Sequence, residues 1–264
     1  LDGTGWGPDG TAWGGEWLQL DGNLRWRRLA SLEPLPLVGG EAAVREPWRI
    51  AAAVLSAADE ELLLAVTPMA SQVERAALDS VARLARDGEW PLATGAGRLF
   101  EAVGALLGLA TVNGYEGEAA ARLEALASSA WPADPWDDPS PAVLPGTPPR
   151  LPARAMIVAA ARRLTAGHPP AAVAAGFHAT FCRLVAELTS RVVVPSVRTV
   201  ALGGGCLINR LLRESLARRL AAAGFDPLLP TEVPPGDGGI SYGQAVLGAV
   251  APARGVEPLL QGGS

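Results

Sequence analysis

Residues 200 to 210 read Val-Ala-Leu-Gly-Gly-Gly-Cys-Leu-Ile-Asn-Arg, and this stretch decides the fold. The run from Val197 to Leu202 is β-branched and apolar, as a buried strand should be. Three glycines then break it, and a helical period starts at once with Leu207, Leu211, Leu216 and Leu220. Strand, glycine turn and helix in that order form a phosphate cradle. Glycine lets the backbone take positive φ and lets a ligand come close, while the first N–H groups of the helix face an anion. The same turn also occurs where a helix simply packs tightly on a sheet. Asn209 favours the ligand: a short amide is a mediocre helix former but a good hydrogen-bonding group at a helix mouth.

Downstream of the turn, Gly224 reads as a helix C-cap, a short strand falls near Leu228, and a final helix follows Asp237-Gly238-Gly239. Upstream lie two helices, Ala153 to Ala166 and Pro170 to Arg191. Before them, residues 131–152 carry eight prolines and little periodicity, so they are expected to form an exposed crossover. Five more helical patterns, rich in Ala, Leu, Arg and Glu, run from Glu41 to Ala58, Glu60 to Val66, Ser71 to Arg86, Gly95 to Leu109 and Glu118 to Ser129. At the start, residues 2–15 hold six glycines in fourteen positions, which is a loop held close to something. Glu16 to Leu20 and Leu24 to Leu32 then read as strands joined at Asp21-Gly22-Asn23. Strands at 1–32 and 197–230 thus flank a helical block of about residues 40–192. One α/β lobe over 1–264 is expected, its sheet built from both ends of the chain around a helical insertion.

Composition narrows the function. The 264 residues are 49% hydrophobic and 19% charged, with a net charge of −5. Every basic residue is Arg, which excludes a Walker-type phosphate lysine and a Schiff-base lysine and leaves no basic nucleic-acid footprint. Cys182 and Cys206 are too few for a zinc site or a disulfide framework, and a reduced, cytoplasmic setting is expected. No apolar run reads as a membrane span. The opening at Leu1-Asp2, without Met, leads us to expect a preceding strand outside this sequence.

Three glycine turns, at Asp2 to Gly5, Gly203 to Gly205 and Gly236 to Gly239, converge if their strands share one sheet edge. Two of them carry an acid, Asp2 and Asp237. Paired carboxylates beside a phosphate cradle suit a divalent cation of unspecified identity, while an isolated Asp-Gly more often caps its own turn. His178, within an apolar helix, reads as a packed histidine, and His168 as an exposed loop residue. Cys206 reads as a small buried hydrophobe in preference to an acyl-relay thiol, having no activating base nearby in sequence. Trp6 and Trp13 could wall a nucleotide site.

These motifs together resemble a known family. Asp2 to Thr11 with Trp13 to Glu16, Gly97 to Phe100, Tyr115 to Gly117, Phe177-His178, Leu202 to Gly204 with Asn209-Arg210, and Pro234 to Gln244 are similar to the HypF carbamoyltransferases of nickel–iron hydrogenase maturation. The likeness covers their carboxyl-terminal lobe, which is similar to the tRNA threonylcarbamoyl-transfer enzyme TsaD. It implies one lobe of an actin and sugar-kinase-like (ASKHA, RNase H-like) fold with a large helical insertion. It also implies ATP and a carbamoyl-adenylate derived from carbamoyl phosphate, a HypE-like partner whose C-terminal thiol accepts the carbamoyl group, and neither nucleic acid nor membrane. On that likeness Asp2 and Asp237 are metal ligands. Gly204, Gly205 and Asn209 hold the nucleotide, and Gly3, Gly5, Gly14, Gly15 and the turn from Gly97 to Glu101 line the same cleft. No catalytic residue follows from it. The family has Asp at the place of Glu101, Ser-Gly-Gly at that of Gly203 to Gly205, and a histidine metal motif upstream of Asp2. An O-carbamoyltransferase acting on a small-molecule hydroxyl and a non-catalytic docking lobe are the alternatives.

Overall fold

The computed structural model describes residues 1–58, 67–137 and 141–253, the last three by backbone alone. The helix expected from Glu60 to Val66 lies outside the described residues. Among the described residues, seven helices build the block between the two ends: α1 (Glu41–Arg45), α2 (Trp48–Ala57), α3 (Arg75–Asp87), α4 (Ala96–Leu106), α5 (Glu118–Ser128), α6 (Ala153–Thr165) and α7 (Pro170–Val192). Pro47 divides what reads in sequence as one helix, because its ring cannot continue the helical hydrogen bonding of α1. All of α4 is buried, Arg98 and Glu101 included. Its Phe100 meets Phe177 and Phe181 of α7 edge-on at 4.9 and 5.0 Å. Each such buried aromatic contributes on the order of 2 kcal/mol, so the α4–α7 contact fixes where both helices present their polar residues.

By length and composition α7 could cross a membrane, a property the reading of the sequence missed. Its apolar stretch has a mean hydropathy of 1.3, and 72% of it is packed inside the chain. The proline-rich crossover departs from expectation in a similar way. Trp136 is buried, its backbone N–H donates to Thr180 Oγ1 at 2.8 Å and its indole lies against Gly176, so this part of the crossover is anchored to α7. The segment also supplies a strand, β7 (Arg150–Leu151), parallel to the strand Trp26–Leu32.

The expected hairpin is present as β3 (Glu16–Leu20) and β4 (Trp26–Leu32). Its second strand starts two residues late because Leu24 takes a φ of 62°, while Asp21 Oδ1 accepts from the N–H groups of Asn23 and Arg25. With β7 these strands form one sheet. A second sheet has the order β1 (Gly5–Trp6), β2 (Ala12–Trp13), β6 (Leu92–Ala93), β5 (Leu35–Pro36). A third pairs β8 (Thr199–Ala201) in parallel with β9 (Asp226–Leu228). Helix α8 (Arg210–Ala222) joins these last two strands, and α9 (Ile240–Ala253) follows.

The single sheet expected from both chain ends is therefore replaced, among the described residues, by three. The ends meet through Leu1 and Asp2, which belong to no strand. Leu1 N donates to the Gly203 carbonyl, Cys206 N donates to Leu1 O at 3.1 Å, and Asp2 N donates to Gly14 O at 2.6 Å.

Gly15 shows how tightly this junction is built, since a Cβ there would overlap the Thr94 carbonyl oxygen and the Leu32 side chain. Gly15→Ala is expected to cost about 2 kcal/mol and to lower Tm by roughly 5 °C in a thermal melt. Gly22→Ala, whose Cβ meets nothing within 4 Å, should shift Tm by less than about 2 °C.

Candidate functional site

A cleft of about 400 Å³ opens where four distant segments converge: Asp2-Gly3, the first turn of α4, the 3₁₀ turn Gly205–Ile208, and Gly236-Asp237. The first turns of α5 form the facing wall, with Gly117, Ala121 and Glu124. Of the residues proposed from sequence, Asp2, Gly3, Gly97, Glu101, Gly205, Asn209 and Asp237 line this cleft.

Gly5, Gly14, Gly15 and Gly204 are not among the lining residues. Gly14 and Gly15 donate to Glu16 Oε2 at 2.6 and 2.8 Å, and Gly204, at φ +100°, makes room for Leu1. Their lack of a side chain lets chain approach chain. Trp6 is 84% exposed, and Trp13 packs against Trp26 and the Arg28 guanidinium; neither lines the cleft.

The helix after the triple glycine begins later than its leucines suggest. Gly205–Ile208 is a 3₁₀ turn, and Asn209 is the N-cap of α8, its Oδ1 accepting from Leu212 N at 2.9 Å. Glu124 Oε1 accepts from Arg210 N at 2.7 Å. The positive end of this helix is thus already met by a carboxylate and an amide of the chain itself, and the phosphate cradle expected there is occupied by protein groups. The other end of the Asn209 amide, Nδ2, lies 3.0 Å from His178 Nε2.

His178 is fully buried, as its apolar surroundings in sequence suggested. Its Nδ1 lies 2.8 Å from the Ala174 carbonyl. Burial holds its imidazolium down at about 4, against an ordinary 6.5, outweighing the opposite pull of that carbonyl. The ring is neutral, with Nδ1–H donating to Ala174 and Nε2 accepting from Asn209. His168 is exposed, as expected.

Arg98 falls within the expected turn from Gly97 to Glu101, and Glu116 lies in the motif Tyr115 to Gly117 with no role expected of it; sequence reasoning passed over Glu124, because a single charged residue on an amphipathic helix gives no local signal. Arg98 and Glu101, 3% and 1% exposed, form an ion pair at 2.8 Å across one helical turn. Asn113 Nδ2 donates to Glu101 Oε1 at 3.0 Å. Burial raises the Glu101 carboxyl above its usual range, against the pull of Arg98 and Asn113. The pair is close but not aligned as a hydrogen bond: Arg98 Nε and Glu101 Oε2 have no hydrogen-bond partner within the chain. Both atoms are enclosed in the cleft wall, and the Glu101 oxygen is met there by the charge of Arg98. Cys206 is half-buried at the cleft, and burial pushes its thiol up to about 12. It is a thiol at neutral pH, poorly suited to an acyl relay.

Asp2 and Asp237 face one cleft, but they do not make a complete cation site. Asp2 Oδ1 already accepts from Gly3 N and Gly205 N at 2.9 and 3.2 Å. Among the described residues no three His, Cys, Asp or Glu side chains gather as a ligand set. A hard divalent cation takes roughly six to eight oxygens, so these residues supply only part of its shell.

Comparison with known proteins places this architecture. Residues 1–244 match the family described as the carbamoyltransferase Kae1-like domain, second subdomain. The chain is 40% identical to carbamoyltransferase HypF2 of Cupriavidus necator, over 92% of this chain and 32% of that protein. It is 38% identical to carbamoyltransferase HypF of Rhizobium leguminosarum bv. viciae, over 92% of this chain and 31% of that one. The fold superposes with a TM-score of 0.80 on a crystal structure of full-length HypF in the phosphate- and nucleotide-bound form, at 28% identity over 94% of this chain and 32% of that chain. The chain therefore spans about a third of the length of these relatives.

His178 sets a pH dependence of stability. Between pH 6.5 and about 4 the unfolded chain protonates this ring and the folded chain does not. Its contribution is present above pH 6.5, falls by about 1.4 kcal/mol per pH unit on acidification and levels off below about pH 4. Denaturant unfolding at pH 6.5 and 5.5 should show this loss, and His178→Gln should remove roughly 1 kcal/mol of it.

Proposed function

This chain belongs to the HypF carbamoyltransferase family of hydrogenase maturation, and from that premise we propose the reaction its cleft serves. The cleft holds the adenylate part of carbamoyl-adenylate, which is formed from carbamoyl phosphate and ATP. The C-terminal cysteine of a HypE-like partner takes the carbamoyl group, towards the cyanide ligands of the hydrogenase iron. The observation that carries this reading is the convergence of Asp2, Gly3, Gly97, Gly205, Asn209 and Asp237, drawn from four separate segments, on one cleft large enough for a nucleotide. The nucleotide bound by the superposing HypF supports it.

Transfer balances simply. The partner's thiolate sulfur bonds to the carbamoyl carbon, the bond from that carbon to the adenylate oxygen breaks, and AMP departs with the electron pair; the thiol proton goes to solvent. Within this chain, Gly3, Gly97 and Gly205 let the backbone approach the ligand, and Arg98 opposes part of the negative charge. The cysteine nucleophile comes from the partner, consistent with a Cys206 held as a thiol. Asp2 and Asp237 would hold the carboxylate share of a divalent cation, which would counter the charge of the adenylate phosphate.

Isothermal titration of AMP into the complete protein should give saturable binding; its absence would sink the reading. With magnesium present, Asp237→Asn is expected to weaken AMP about tenfold, whereas in EDTA, where one repelling charge is gone, affinity should be unchanged or tighter. A partner incubated with ATP and carbamoyl phosphate should gain one carbamoyl mass on its C-terminal cysteine.

A further inference from the structure

We propose that His178 is a positioning residue for the nucleotide cleft: through its Nε2 it fixes which way round the Asn209 amide faces. The inference rests on the nucleotide reading above and assigns a task to a buried group which that reading leaves unused.

A carboxamide can turn by 180° with almost no change of shape, so only its hydrogen bonds decide which end is oxygen and which is nitrogen. Two neighbours decide it for Asn209. Leu212 N–H can only donate, so it demands the oxygen, at 2.9 Å. His178 Nε2, at 3.0 Å, demands the nitrogen, and the reason lies one bond further in. The Ala174 carbonyl, 2.8 Å from Nδ1, can only accept, so the ring proton sits on Nδ1 and Nε2 is left as an acceptor. The chain from the Ala174 carbonyl through His178 and Asn209 to the α8 backbone has one consistent set of donors and acceptors.

The ring itself is held. Phe100 and Phe177 meet it edge-on, with centroids at 5.2 and 5.8 Å, and no part of it reaches solvent. Phe100 also lines the cleft, so the cage that locks the imidazole is part of the wall the ligand meets. With these bonds made, Asn209 keeps one N–H and one oxygen lone pair for a ligand. Removal of the Nε2 acceptor frees the nitrogen end of the amide and leaves a single hydrogen bond, from Leu212 N, to hold its orientation.

The test is AMP titration into the complete protein carrying three variants in turn. In His178→Phe, which keeps ring volume and loses the acceptor, Kd for AMP should rise about tenfold. In His178→Gln, whose side-chain oxygen reaches the Nε2 position, it should stay within about threefold of the unsubstituted protein. His178→Asn, which reaches only the Nδ1 position, should behave like the phenylalanine variant. His178→Phe combined with Asn209→Ala should bind no more weakly than Asn209→Ala alone, a coupling that general loss of packing would not produce. Equal affinity in the Phe and Gln variants, or additive losses in the double variant, would overturn the proposal while leaving the nucleotide reading intact. If His178→Phe does not fold, the comparison of Gln with Asn decides. Absence of AMP binding to the unsubstituted protein would overturn both.

Discussion

Backbone pressed against backbone around Leu1 to Gly3 is the constraint on which the rest of the structure depends. The three residues are held from several sides: Asp2 N donates to Gly14 O, Gly97 N donates to Asp2 O at 3.0 Å, and Cys206 N donates to Leu1 O. Glycine stands at or beside each crossing. A Cβ on Gly14 would stand 2.6 Å from the Asp2 carbonyl oxygen, one on Gly97 would stand 2.8 Å from Gly3 Cα, and those on Gly95 and Gly204 would overlap Gly3 and Leu1. Residues as far apart in sequence as Leu1 and Cys206 are thereby fixed to within a hydrogen bond of one another. The floor of the cleft is peptide, and Asp2, Gly205 and the start of α4 cannot shift independently.

That constraint changes what the glycines mean. In sequence, the turns at Asp2 to Gly5 and Gly203 to Gly205 read as surfaces for a phosphate. Gly3, Gly97 and Gly205 do face the cleft, while Gly14, Gly15 and Gly204 accommodate neighbouring chain. Absence of a side chain is the only signal sequence carries, and it is the same for both uses. Asn209 is a parallel case. Its place at the helix mouth was legible, but Leu212 and His178 take one bond each from its amide, and His178 is 31 positions away.

Local chemistry was the legible part. The hairpin Glu16–Leu20 with Trp26–Leu32, the helix α5 at Glu118–Ser128 and the helix α7 from Pro170 all follow from alternation, period and caps. The two-residue strands at Gly5–Trp6, Ala12–Trp13, Leu35–Pro36 and Leu92–Ala93 were not legible, because two residues are too few to show a period. Nor was the division of the sheet, which is set by pairings among distant segments. The convergence of Asp2 and Asp237 was inferred from the shared character of their turns, and both line one cleft.

Charge explains why a buried neutral ring serves this site better than a charged one. Asp2, Glu101, Glu116, Glu124 and Asp237 line the cleft against the single guanidinium of Arg98. Some of that charge is already engaged: Glu124 meets the α8 backbone at Arg210, and Asp2 accepts from Gly3 and Gly205. A cationic residue beneath Asn209 would pair with these acids and compete with any ordering of the amide. A hydroxyl there could donate as readily as accept, and so would leave the orientation of Asn209 to the Leu212 N–H alone. Neutral imidazole whose proton is committed to the Ala174 carbonyl offers one acceptor and nothing else. Burial among Phe100, Phe177 and the rest of the α4–α7 contact is what keeps it neutral. The packing that joins two helices in the core therefore also determines the polarity of one group at the cleft wall.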